Sequence, residues 1–186
     1  MHTTPQYESG SELKIAFVFS CPGRMEKNAK KPAAGKTGEN LNYLLSKLET
    51  AYSLTDFKRG KITIANAWNN VEFKGEGGTG RSEATLSEVI NIANLDRLGK
   101  ELQCITDYIV CGGVNAEKAV SILLFAGKLN SSCKVINIPH LSTRGLCASI
   151  ISDENGNKIL SKKNGSTTNT LHQRLDSVAK EINSKV

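Results

Sequence analysis

Four short apolar runs punctuate the chain, and three of them end in polar residues. Lys14-Ile-Ala-Phe-Val-Phe-Ser20 runs into a Cys21-Pro22-Gly23 turn, Ile62-Thr-Ile-Ala-Asn66 ends in a carboxamide, and Cys133-Lys-Val-Ile-Asn-Ile-Pro-His140 ends in an imidazole. The remaining run, Tyr108-Ile-Val-Cys-Gly112, ends in glycine. Runs this short, rich in Ile, Val and Phe and bounded by turn residues, predict buried strands. Between them the apolar spacing changes to that of a helix. Leu41, Leu44, Leu45 and Leu48 share one stripe, residues 82–93, 95–102 and 116–126 are read as helical, and Leu171, Leu175, Val178, Ala179 and Ile182 line a helix over 170–182. Strands alternating with helices predict βαβ units and a parallel sheet, whose ligand edge lies beyond the carboxyl ends of its strands. The polar ends at Ser20, Asn66 and His140 are therefore expected to converge.

The other segments are read as connections. Residues 1–12 are expected to be a flexible lead-in to a single domain over 13–186. Residues 23–38, dense in Lys, Ala and Gly, are read as a loop. Residues 68–81, with Gly75, Gly77, Gly78 and Gly80, are read as a surface loop, and the polar stretch 152–169 as a loop or small hairpin around Glu154-Asn-Gly156. A length of 186 residues, 39% of them hydrophobic, suits one core.

Composition adds a direction. A net charge of +6 favours an anionic partner such as nucleic acid. No run approaches the roughly 20 apolar residues that span a bilayer, and the N-terminal residues carry no apolar signal segment, so a cytoplasmic protein without membrane attachment is expected. Five cysteines without a C-x-x-C pair suggest neither a disulfide framework nor a zinc site; most are expected to be buried thiols.

Taken in order, these blocks resemble the uracil-DNA glycosylase superfamily, in particular its small bacterial and archaeal branches, over most of residues 13–182. Phe19-Ser-Cys-Pro-Gly23 stands where those branches have a Gly-Glu-Ala-Pro-Gly type motif. Lys31-Pro-Ala-Ala-Gly35 and Gly38 stand for a Gly-x-Pro-Phe-x-Gly loop, and Leu41 to Leu48 for a Leu-rich helix. Asn66 matches the asparagine that reads the base, Cys111-Gly-Gly-Val-Asn-Ala116 a strand-to-helix turn, and His140-Leu141-Ser142 a late His-Pro-Ser motif. The resemblance implies a three-layer α/β/α sandwich around a small, mainly parallel four-stranded sheet. It also implies a monofunctional DNA glycosylase acting on a flipped nucleotide and working as a monomer.

Cleaving a base from deoxyribose builds positive charge on the sugar and negative charge on the base, so the site needs donors aimed at the base. The backbone amides of Ser20 and Cys21 and the side chain of His140 are assigned that task, and Asn66 the Watson–Crick edge. Lys31, Arg81, Ser142, Thr143 and Arg144 are assigned to phosphates.

This chain departs from the family pattern twice. Ser20 replaces the acid that activates water, and Glu26 is the first candidate to take over that role, ahead of Glu39 and Glu72. Ala33 replaces the Phe that stacks on the flipped pyrimidine, removing stacking worth about 1–3 kcal/mol per base and opening space. A bulky base such as hydroxymethylcytosine or its glucosylated form in phage DNA is the expected substrate, with a role in antiviral defence. Uracil excision in repair and a catalytically silent DNA-binding module are the alternatives. No cofactor or metal is implied. The family's iron–sulfur branches need an early C-x-x-C, which is missing here, so no cluster is expected. Gly35-Lys36-Thr37 resembles the end of a P-loop, but Lys30 occupies the place of its first glycine.

Overall fold

The computed structural model describes residues 3–159 and 167–186. Residues 1 and 2, from the expected lead-in, and residues 160–166, from the expected polar loop, lie outside them. Among the described residues the chain is an α/β protein with a six-stranded mixed sheet and seven helices.

The four expected strands are all present: β3 (Ile15–Phe19), β4 (Thr63–Asn66), β5 (Tyr108–Gly112) and β6 (Lys134–Ile138). They run parallel in the order β4-β3-β5-β6. The expectation of a four-stranded sheet needs correction, because β1 (Thr3–Thr4) and β2 (Tyr7–Glu8) form an antiparallel hairpin whose second strand pairs with β4. Residues 3–8 are thus part of the sheet rather than a lead-in. They supply the main-chain partners that the outer edge of β4 would otherwise lack.

β3 is buried at all five positions because helices cover both faces of the sheet. Phe17 and Phe19 pack with Leu41, Leu44 and Leu48 of α2 (Lys36–Tyr52), with Leu146 of α6 (Thr143–Ser149), and with Leu175 and Val178 of α7 (Thr167–Asn183). On the opposite face Ala16 and Val18 pack with Val89 of α3 (Leu86–Val89), Leu98 and Leu102 of α4 (Ile92–Leu102), and Ala116 and Val120 of α5 (Val114–Phe125). Burying a Leu or Phe side chain fully contributes about 1.5–3 kcal/mol. No helix among the described residues is long and apolar enough to cross a membrane.

Helix ends follow local chemistry. The helix expected over 82–93 is shorter, since Thr85 and Glu88 form a capping box at the start of α3 and the Asn91 side chain accepts from Ala93 N–H to begin α4 afresh. Within the loop expected at 23–38 lies α1 (Arg24–Ala29), a polar helix with no buried residue. Ser152 pairs with Lys158, closing the expected hairpin around Glu154-Asn-Gly156.

Starting from β3, the chain steps to β4 on one side and then to β5 on the other, so the crossovers diverge at the carboxyl end of β3. Such a switch point opens a crevice. Gly38 holds the loop beside this crevice, since a Cβ there would lie 1.9 Å from the Ala33 carbonyl oxygen. Gly38→Ala is expected to cost about 1–3 kcal/mol through forced displacement of that loop. The test is a lower midpoint of denaturant unfolding with an unchanged slope.

Candidate active site

At the carboxyl end of β3 the main chain keeps pairing beyond the strand. Ala67 N–H donates to Phe19 O at 2.7 Å and Trp68 N–H to Ser20 O at 2.9 Å. This anchors Ser20, only 4% exposed, beside the exit of β4. A cavity of about 170 Å³ opens there. Six of the residues singled out in the sequence line it: Ser20, Cys21, Glu26, Ala33, Asn66 and His140. Thr37, Ser82 and Glu83 line it as well.

His140 follows β6 and presents its ring edge-on to Phe19, with centroids 5.9 Å apart. Its Nδ1 accepts a hydrogen bond from Ser142 N–H at 3.1 Å, which places the proton of a neutral ring on Nε2. Burial pushes its pKa below the usual histidine value, against the opposing pull of Glu83 and Glu26. The ring is accordingly neutral at neutral pH, with one N–H to give. Gly145 permits this seat, because a Cβ there would lie 2.4 Å from His140 O.

Asn66 closes β4 and is 2% exposed. Its Nδ2 makes only a long contact of 3.4 Å to Gln6 O, and no described residue donates to its Oδ1. The carboxamide therefore keeps both an acceptor and donor capacity. Behind it, Arg97 donates from Nη2 to Asn66 O, Ala67 O and Asn94 Oδ1 at 2.8–3.1 Å, tying the strand end to α4.

Ala33 is buried in the loop before α2 with φ +45°, a left-handed conformation that L residues adopt at some cost. Arg59 clamps this loop, donating to Pro32 O and Ala33 O while pairing with Glu8 of β2. A second cavity of about 420 Å³ shares Ala33 and is lined by Lys31, Glu39, Asn42 and Arg59.

The three carboxylates named as candidates for activating water fare differently. Glu26 lines the cavity, but its two oxygens accept from Gly23 N–H at 2.9 Å and Ala34 N–H at 3.0 Å, fastening α1 to the Ala33 loop. Glu39 is exposed, outside the first cavity, and paired with Lys36 at 2.9 Å. Glu72 is buried away from the cavity, where it accepts from Trp68, Thr79 and Arg81. The loop over 68–81 is therefore not wholly at the surface.

The expected phosphate contacts are likewise dispersed. Arg81 is committed to Glu72 and Glu88 at 2.7 Å each. Ser142 caps α6, accepting from Gly145 N–H at 3.1 Å, and Thr143 and Arg144 form the first turn of that helix. Arg144 and Lys31 are exposed. Of the cysteines only Cys111 and Cys133 are buried, whereas Cys104 and Cys147 are exposed, which corrects the expectation for most of them. Burial raises the Cys21 thiol to about 11, making it a poor nucleophile at neutral pH.

Glu83 was not anticipated. Its Oε2 accepts from Ser20 Oγ–H at 2.5 Å, and Asn115 Nδ2 donates to Ser20 Oγ at 3.1 Å and to the same Glu83 oxygen at 3.3 Å. Asn115 lies in the strand-to-helix turn noted in the sequence, the only local signal of this cluster. No protein-family model and no curated protein sequence matches the chain at a significant level.

The clasp of Glu72, Arg81 and Glu88 is sensitive to acid. Arg81 holds Glu88 down at about 2, against an ordinary value of 4.5, and holds Glu72 low as well. A lowered carboxylate stabilises above its unfolded pKa and loses that contribution as pH falls through the folded one. The clasp is thus intact above pH about 4.5 and opens toward pH about 2. Trp68, the chain's single tryptophan, donates to Glu72 at 3.2 Å, so its fluorescence is expected to change as the clasp opens in acid. Flat emission would contradict the assignment.

Proposed function

We propose that the protein is a monofunctional DNA glycosylase of the uracil-DNA glycosylase type, an α/β/α sandwich that extrudes a nucleotide and hydrolyses its N-glycosidic bond to leave an abasic site. The observation that carries this reading is the meeting of Ser20, Asn66 and His140, each at or just beyond the end of a different parallel strand, in one cavity at the switch point. Residues 120 positions apart in the chain meet where a flipped base needs a donor, an edge reader and a wall.

The chemistry of each group fits the reaction. The Nε2–H of a neutral His140 donates to the base oxygen that gains charge as the bond breaks. A neutral donor is not lost to ion pairing with the carboxylates nearby. Asn66 offers both hydrogen-bonding senses to the Watson–Crick edge. The exposed Arg144 and Lys31, in a chain of net charge +6, are available to phosphates.

Size supports a modified pyrimidine as substrate. At about 170 Å³ the cavity is below the roughly 300–1,000 Å³ of drug-sized ligand sites, so it encloses one ring and little more. A substituent on that ring has to leave it. Ala33 lines both this cavity and the larger one bordered by Lys31, Asn42 and Arg59, whose polar groups suit a hydroxylated substituent. Hydroxymethylcytosine and its glucosylated form, as carried by phage DNA, are the bases proposed, with defence against phage as the role.

The test is abasic-site formation on matched duplexes carrying uracil, hydroxymethylcytosine or glucosylated hydroxymethylcytosine. Wild-type protein is expected to release the modified base, and His140→Ala to lose about 10²–10⁴-fold in rate with DNA affinity retained. Ala33→Phe should lower excision of the glucosylated base at least about tenfold more than excision of uracil. Release of uracil alone would make this a repair enzyme. Release of no base, with DNA bound, would leave a silent binding module.

A further inference from the structure

We propose that Glu83 is the carboxylate that activates the attacking water, with Ser20 and Asn115 as its positioning residues. This inference rests on the glycosylase reading above and deepens it. It also replaces Glu26 in that role.

Ser20 carries no charge, so it cannot itself take a proton from water at neutral pH or face a cationic sugar as an anion. The fold brings an anion to the same place from elsewhere. Glu83 comes from the segment before α3, 63 positions further along the chain, and its Oε2 lies 2.5 Å from Ser20 Oγ at the cavity wall. Asn115, at the start of α5, donates to both Ser20 Oγ and that oxygen, and also to Ala84 O at 3.1 Å. Two separate segments, the end of β3 and the start of α5, thus fix one oxygen of the carboxylate. Glu83 Oε1 has no partner among the described residues, and the side chain is exposed at the cavity mouth, where water reaches it.

The other carboxylates are already committed. Both oxygens of Glu26 hold backbone amides, and withdrawing either would release the turn or the Ala33 loop that shape the cavity. Glu72 is enclosed in its clasp with Arg81, and Glu39 faces the neighbouring cavity. A general base needs an oxygen within reach of water and a fixed orientation, and Glu83 alone among these four combines the two.

In the proposed step Glu83 Oε1 takes a proton from water while the water oxygen bonds to C1′ of the extruded nucleotide. The C1′–N bond breaks and its electron pair leaves with the base, whose oxygen accepts from His140 Nε2–H. The proton on Glu83 then returns to solvent or to the departed base. No oxidant, metal or further reactant is needed.

The test is single-turnover excision by wild type, Glu83→Gln and Glu26→Gln on the three duplexes above, with thermal unfolding and DNA affinity measured in parallel. Glu83→Gln preserves size and can still accept from Ser20, so its unfolding midpoint and DNA affinity should match wild type, while its rate falls on the order of 10²–10⁴-fold. The acid limb of the wild-type pH–rate profile should be missing from its residual activity. Glu26→Gln should lower the unfolding midpoint and keep that limb. An active wild type with Glu83→Gln within about threefold of it would overturn the role of Glu83 and leave the glycosylase reading standing. A wild type that binds DNA but releases none of the three bases would overturn both.

Discussion

Everything at the candidate site depends on how the central strand leaves the sheet. β3 is buried on both faces, so each of its peptide groups must find a partner in a neighbouring strand, and a buried group left unpaired costs about 1–3 kcal/mol. The pairing continues past the last strand residue, with Phe19 O and Ser20 O accepting from Ala67 and Trp68. That continuation forces the exits of β3 and β4 to run side by side and sets Ser20 close to Asn66. The N-terminal hairpin serves the same constraint from outside, since Gln6 O accepts from Asn66 N–H at 2.9 Å and Glu8 steadies Arg59, which in turn grips the Ala33 loop.

Four glutamates near this corner show how environment divides one side chain into several roles. Glu72 is buried and surrounded by donors, so its charge is spent on holding a glycine-rich loop. Glu26 spends its charge on two amides of adjoining turns, and Glu39 on a solvent-exposed lysine of its own helix. Glu83 alone is fixed through a single oxygen by groups that are themselves fixed. Chemistry is to be sought at a carboxylate held firmly but incompletely, because full satisfaction turns a functional group into a structural one.

Much of the fold was legible because apolar periodicity survives in the long elements. The runs at 15–19 and 134–138 and the leucine stripe of α2 bury what their spacing says they should. The parts that escaped carry no such period. β1 and β2 are two residues each, α1 buries nothing, and α6 buries only Leu146, so tertiary contacts and caps rather than pattern decide them. The same division runs through the site. Ser20, Asn66 and His140 were legible because each stands at or just beyond the end of an apolar run. The contact of Glu83 with Ser20 was not, since Glu83 lies in a polar stretch with no mark of its own and reaches Ser20, 63 positions away, only through the fold. Tertiary pairing likewise decides Arg81, which the fold binds to Glu72 and Glu88. A basic residue in a glycine-rich loop gives no sign of the buried carboxylate that claims it.

The placement of charge along the cavity follows from these constraints. His140 sits between two influences of opposite sign, burial that disfavours the imidazolium and two carboxylates that favour it, and burial dominates. His140 and Asn66 therefore present neutral donors to the cavity, while Glu83 puts negative charge at the mouth. In the proposed reaction the base gains electrons and the sugar loses them as their bond stretches, so a base seated inward and a sugar left outward would each meet the environment that favours its developing charge. A protonated His140 would neutralise Glu83 across the cavity and erase that gradient. The desolvation that keeps the ring neutral is thus as much a part of the proposed catalyst as the carboxylate it leaves free.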